Sequence, residues 1–315
     1  MPEATQPAPS ALHGNARRQT SGADLMLLLT AVIWGSSYGV TKQALVWYPV
    51  LGFLVLRFGL TSLLLLPALR RCTGAALRAG LPLGLILLAI FVCETYGVLL
   101  TQASNAAFLI SLNVVMTPFA EWWMFGARPR RAAFVLALVS LAGTALLSAG
   151  GPLSLNTGDG LILLAALLRA AMMCWTKRLT MPKPGRPPVP ALTLTAVQSA
   201  VVFAGMLLAA CCVPGSLPPL PHVASFWGAC IYLVLLCTIF AFFAQNYGVR
   251  RSGPTRAALL MGSEPLFGAL FAACWLGEKL TPLSWLGALL LCGAVLASLL
   301  PGRAPPLPVG LAGPQ

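Results

Sequence analysis

The sequence predicts an all-α membrane protein: ten transmembrane helices arranged as two inverted five-helix repeats, with both termini cytoplasmic. Three observations carry that prediction. Apolar residues come in blocks of about 20, the length that crosses a ~30 Å hydrocarbon core as helix. Basic residues collect in alternate loops, as cytoplasmic loops do. Two stretches of the first half recur in the second.

Composition sets the class. Of 315 residues, 58% are hydrophobic and only 9% charged, and the mean hydropathy is +0.85. A soluble domain carries roughly 25% charged residues. Closed β-barrels need alternation of period two, which these blocks lack. The net charge of +13 follows from Lys and Arg in cytoplasmic loops. These residues never form one stripe, so no nucleic-acid partner is expected. Nine cysteines sit mostly within apolar blocks without a CxxC pair, and read as small apolar fillers. No metal, cofactor or disulfide framework is implied.

The blocks and their breakers place spans at about 25–44, 49–69, 79–100, 104–125, 131–149, 159–178, 191–213, 223–248, 255–276 and 282–300. Turn chemistry separates them, as in "WYPV" (47–50), "GARPRR" (126–131), "PKPGRPPVP" (182–190) and "RRSGPT" (250–255). Residues 1–23 read as a disordered cytoplasmic tail without a signal peptide, and 301–315 as a disordered, Pro-rich one. Arg17 and Arg18 precede the first span. Arg70, Arg71 and Arg78 follow the second, Arg128, Arg130 and Arg131 the fourth, and Lys177, Arg178, Lys183 and Arg186 the sixth. Arg250, Arg251 and Arg256 follow the eighth, and Arg303 the tenth. The intervening loops hold only Lys42 and Lys279. One missed helix would scramble this alternation.

The repeat shows in two gapless alignments. Residues 23–45 match 158–180 at an offset of 135, taking Asp24 to Asp159 and Thr41-Lys42 to Thr176-Lys177. Residues 105–129 match 256–280 at an offset of 151, taking Ala106-Ala107 to Ala257-Ala258 and Gly126 to Gly277. The halves are thus 24–150 and 159–300. Five helices is an odd number, so the second half enters from the opposite face. Inverted repeats are the architecture of many secondary transporters.

Four charges sit well inside spans: Arg57, Glu94, Arg169 and Glu264. An unpaired charge there costs at least about 2.5–3.5 kcal/mol, so the balanced signs call for pairing. At 1.5 Å per residue, Arg57 lies ~12 Å and Glu94 ~9 Å from the outer face. Arg169 lies ~15 Å and Glu264 ~18 Å from it on the same count. Depth favours Arg57 with Glu94 and Arg169 with Glu264. Glu94 with Arg169 is the alternative, ~6 Å apart in depth. The offset of 151 also matches Asn113 with Glu264, and both are expected to line a cavity near the midplane. Trp34 and Tyr38 share one helix face. The stretch "GSSYG" (35–39), which follows Trp34 and includes Tyr38, reads either as a close helix contact or as a thin wall with Ser36 or Ser37 facing a cavity. Pro118 and Pro265 interrupt corresponding helices of the two halves. Glu121 reads as interfacial, near Arg128 and Arg131.

"WGSSYGVTK" (34–42) resembles the first-helix motif of the EamA-like branch of the drug/metabolite transporter superfamily. The segments 103–129 and 255–291 resemble its two repeat signatures. The resemblance covers roughly residues 24–300. It implies export or exchange of small metabolites, often amino acids, through a central cavity. Where the family's sixth helix often repeats the first-helix Trp, this chain has Arg169.

The expected function is secondary transport of a small-molecule substrate across the cytoplasmic (inner) membrane, by alternating access. The substrate-binding candidates are Trp34, Ser37, Tyr38, Arg57, Glu94, Asn113, Arg169 and Glu264. The chain is expected to contact membrane lipid and to act as a monomer or weak homodimer. A membrane-embedded enzyme would need a nucleophile with its base or a metal-ligand set; no HExxH occurs, and the two histidines, His13 and His222, lie outside the spans. A non-transporting sensor is the other alternative. No GxxxxGK[ST] loop is present, so the energy is expected to come from a gradient or from the substrate itself.

Overall fold

A computed structural model describes residues 9–101, 103–126, 128, 130–147, 156–181, 188–275 and 281–300. All regular structure among these residues is helical. The first half comprises α1 (Pro9–Leu45), α2 (Val50–Leu64), α3 (Leu66–Arg70), α4 (Gly74–Leu100), α5 (Ala103–Ser111), α6 (Asn113–Phe125) and α7 (Arg131–Leu147). The second comprises α8 (Thr157–Thr180), α9 (Ala191–Cys212), α10 (Ala224–Tyr232), α11 (Ala241–Ser252), α12 (Pro254–Met261), α13 (Glu264–Trp275) and α14 (Pro282–Leu299). A π-helical segment, Leu233–Phe240, joins α10 to α11 without a break.

Among the described residues, seven helical stretches are long and apolar enough to cross a bilayer: 22–45, 74–97, 108–125, 157–180, 191–212, 224–252 and 282–299. The other three expected spans differ from expectation. The second is divided at Leu65, ahead of Pro67, whose missing N–H breaks the ladder. The fifth, α7, has 17 residues. The ninth is broken between α12 and α13. Residues 9–23, expected to be disordered, continue α1, since extending an existing helix avoids the cost of nucleation. Residues 1–8 and the expected tail 301–315 lie outside the described residues.

Local chemistry sets the ends. Thr73 caps α4 by accepting from Ala76 N–H at 3.2 Å. Asn156 and Asp159 form a reciprocal capping box at α8. Gly253, at φ 84°, turns the chain between α11 and α12, and Pro254 opens α12.

The largest core cluster lies between α2, α4, α9 and the 224–252 helix. Phe53, Phe58, Leu83, Met206, Phe226 and Leu233 are fully buried in it. α4 packs on α8, and α7 on α14. At the α4–α8 crossing, Gly97 and Gly158 let the backbones meet. A Cβ on Gly158 would sit 2.8 Å from the Gly97 carbonyl. That contact sets which faces of α4 and α8 look at each other.

Candidate functional site

The two halves interrupt corresponding helices in register. At the α5–α6 junction, Leu112 N–H bonds back to Leu109 O and Val115 N–H to Leu112 O. At the α12–α13 junction, Ser263 N–H bonds to Leu260 O and Leu266 N–H to Ser263 O. Each bond of the second junction lies 151 residues after its counterpart. The residues that open the resumed helices are Asn113 and Glu264, the pair matched in the sequence. Pro265 sits immediately after its break. Pro118 lies one and a half turns past the other, so the prolines alone do not locate the pair.

Asn113 and Glu264 line one narrow cavity with Trp34, Glu94, Arg169 and Gln245, walled by Phe91, Phe242 and three methionines. The cavity is small in this state, about 40 Å3. Arg169 organises its polar part. Its Nη2 donates to both oxygens of Glu94, at 2.8 and 3.0 Å. Its Nη1 lies 3.8 Å from Glu264 Oε2. Its guanidinium sits over the Trp34 ring, 5.4 Å from the centroid, within cation–π range. Trp34 and Arg169 are themselves 135 residues apart, so equivalent positions of the two halves stack on each other.

The pairing of Arg57 with Glu94 is not formed, and Glu94 belongs to Arg169. Depth was the wrong criterion. Side chains lean toward the N-terminus of their helix. α4 and α8 are antiparallel, so Glu94 and Arg169 lean toward each other and close the ~6 Å step. Direction around the axis then decides. The Gly97–Gly158 contact turns that face of α4 to α8. Arg57 instead donates its Nε to Thr238 Oγ1 at 2.8 Å and lies over the Phe91 and Phe58 rings, at 5.5 and 5.8 Å. No carboxylate of the described residues lies within 4 Å of it. It stands behind the wall that Phe91 makes, not in the cavity lining.

The π-helical segment supports the site from behind. Thr238 Oγ1 donates to Leu233 O, five residues back. Trp34 Nε1 donates to Cys237 O at 3.0 Å, which fixes the indole under Arg169. Such segments recur at functional sites. Ser36 and Tyr232 share a 2.6 Å hydrogen bond. Ser37 donates to Trp34 O and is not part of the lining. The Tyr38 side chain lies outside the described residues. Gly35 serves a close helix contact: a Cβ there would lie 2.7 Å from Glu264 O and from Gly268 N on α13. Gln245 went unnoticed in the sequence. Its signal was two adjacent amides, Gln245 and Asn246, inside an apolar helix. Asn246 bonds Gln198 and Thr195 on α9.

Glu121 pairs with Lys177 at 3.1 Å and accepts from Thr255 N–H and Oγ1. Arg128 instead lies over the Trp122 ring. Asp24 pairs with Arg256 at 2.6 Å and accepts from Ser252. At the opposite end of α8, Asp159 accepts from Thr101.

The chain is 30% identical over 284 residues to a transporter of Archaeoglobus fulgidus, covering 87% of this chain and 84% of that one. It is 28% identical over 271 residues to the inner membrane transporter YedA of Escherichia coli, covering 81% and 83%. The probable terminal-alkyne amino-acid exporter of Streptantibioticus cattleyicolor is 27% identical over 289 residues, covering 86% and 91%. A solved structure superposes with a TM-score of 0.70 over 89% of this chain and 97% of its own, at 20% identity, so the two share a fold. The EamA-like transporter family matches residues 21–149 and 156–300, nearly all of both halves, and this multi-pass membrane protein belongs to that family.

Proposed function

We propose that the protein is a secondary transporter that exports small zwitterionic metabolites, such as amino acids, by alternating access of two inverted five-helix repeats. The observation that carries the reading is Arg169, held between Glu94 and Glu264 in a cavity flanked by two in-register helix breaks. An ammonium and a carboxylate on one small molecule replace an internal Glu94–Arg169 pair without leaving a buried charge unpaired. The apolar body of the substrate then lies against Trp34, Phe91 and Phe242. Substrate-binding roles go to Trp34, Glu94, Asn113, Arg169 and Glu264. Arg57 and Ser37 act from outside the cavity.

The remaining parts of the reading rest on sequence and relatives. Alternating basic loops support ten spans with both termini cytoplasmic. The Escherichia coli relative's name supports the inner membrane, and the Streptantibioticus relative's name supports an amino-acid-like substrate.

The test is reconstitution in proteoliposomes with a panel of amino acids, amines and carboxylates, with and without a pH gradient. Saturable movement of a zwitterion that Glu94→Gln abolishes is expected. If only molecules without a carboxylate move, the zwitterion reading is wrong. If nothing on the panel moves above protein-free vesicles, the transport reading fails for these substrates.

A further inference from the structure

The two faces of the bundle are closed by corresponding groups of unequal strength. At one face Thr101, which ends α4, donates to Asp159 of α8. At the other, Ser252, which ends α11, donates to Asp24 of α1 at 2.7 Å. Asp159 lies 135 residues after Asp24, and Ser252 lies 151 after Thr101, so these hydrogen bonds are equivalents under the repeat. Asp159 and Lys177 sit ~27 Å apart along α8, which puts the two closures on opposite sides of the cavity.

Among the described residues, ion pairs are added at the Asp24 face. Arg256 donates to Asp24 through Nη2 at 2.6 Å and Nε at 3.2 Å. Beside it, Glu121 joins three helices: Lys177 of α8 at 3.1 Å, and the Thr255 hydroxyl and N–H of α12 at 2.6 and 3.2 Å. Applying the same offsets to the sequence, Lys177 corresponds to Lys42 and Thr255 to Ser104, but Arg256 to Asn105 and Glu121 to Ala272. At these equivalent positions the sequence keeps the lysine and the hydroxyl and replaces the carboxylate and the arginine by neutral residues. Charge-assisted hydrogen bonds are roughly twice as strong as neutral ones.

We propose that Asp24, Arg256, Glu121 and Lys177 are gate residues that hold the Asp24 face closed in the substrate-free protein. The inference rests on the alternating-access reading. It assigns the Asp24 face to the cytoplasm and the resting cavity to exchange with the outside.

The test places one cysteine at Met261, a cavity residue, in the full chain with its nine native cysteines replaced. Labelling rates by a membrane-impermeant maleimide are measured from each side. Faster labelling from outside is expected at rest. Glu121→Gln with Asp24→Asn should raise the inside-to-outside ratio about tenfold. Ala272→Glu, which puts a carboxylate at the position equivalent to Glu121 under the 151 offset, should slow outside labelling about fivefold, and Lys42→Gln, at the equivalent of Lys177, should reverse that effect. If the weakened variant does not reach the membrane, the Ala272→Glu arm decides alone. Labelling from both sides at a ratio that no variant moves by more than about twofold overturns the gate and leaves alternating access standing. Labelling from one side only, in every variant, overturns both.

Discussion

At Leu112 in the first half and Ser263 in the second, the backbone tightens by the same hydrogen-bond pattern and resumes as helix one residue later. The side chains at those positions do not match. The first half presents Trp34 and Asn113, both neutral. The second presents Arg169 and Glu264, both charged. Backbone geometry has been kept in duplicate while chemistry has diverged. That division has a physical logic. On the proposed alternating-access reading, two packings of nearly equal energy need similar helices, and a zwitterionic substrate needs a site without symmetry.

Arg169→Met breaks this comparison most severely. It leaves Glu94 and Glu264 without their shared cation, and breaking a buried pair costs about 3–5 kcal/mol. Thermal stability in detergent should fall and transport should be lost. Adding Glu94→Gln should recover most of the stability and none of the transport, a coupling that a double-mutant cycle measures directly. Equal loss in single and double variants would show that the pair does not carry the stability.

Gly35→Ala tests the backbone side of the comparison. Its Cβ has to displace α13 at Glu264 and Gly268, an overpacking that costs about 1–3 kcal/mol. Because α13 carries Glu264, transport should weaken along with the melting temperature. Unchanged values in both would mean that the α1–α13 contact has slack.

Trp34→Phe sharpens the contrast between the stacked equivalents. It removes the bond to Cys237 O, a loss of about 1 kcal/mol, and weakens the cation–π contact with Arg169. Affinity should fall more than the maximal rate. Arg57→Met has the smallest expected effect. No carboxylate of the described residues lies within 4 Å of Arg57, so an apolar replacement breaks no close ion pair and removes the cost of burying the charge. Folding should survive and the Glu94–Arg169 pair stay intact. Loss of transport equal to that of Glu94→Gln would return Arg57 to the site.

The charges of the site were legible because a carboxylate or guanidinium interrupts an apolar run wherever it occurs. The match of Asn113 to Glu264 was legible too, since the 151 offset needs no structure. The partner of Glu94 was not. Depth along a helix follows from counting residues, but rotation about its axis follows from what the helix packs against. For α4 that is the Gly97–Gly158 contact. The π-helical turn behind Trp34 also left no mark in "LVLLCTIF", a run that reads as ordinary apolar helix. Glu121 was set near Arg128 and Arg131, whereas its ion pair and hydrogen bonds come from Lys177 and Thr255, which reach it from other helices.

Sequence alone determined the class of the protein, its division into two halves and the residues that carry charge into the membrane. Each is a property of composition, block length or self-similarity along one chain. Tertiary structure alone decided that Arg169 rather than Arg57 faces Glu94, and that Trp34 stacks beneath it. It also decided that only one face is closed by ion pairs among the described residues. The reason is geometric: these contacts join residues 56 to 232 positions apart, and helix rotation, which one-dimensional spacing does not encode, selects among partners at similar depth.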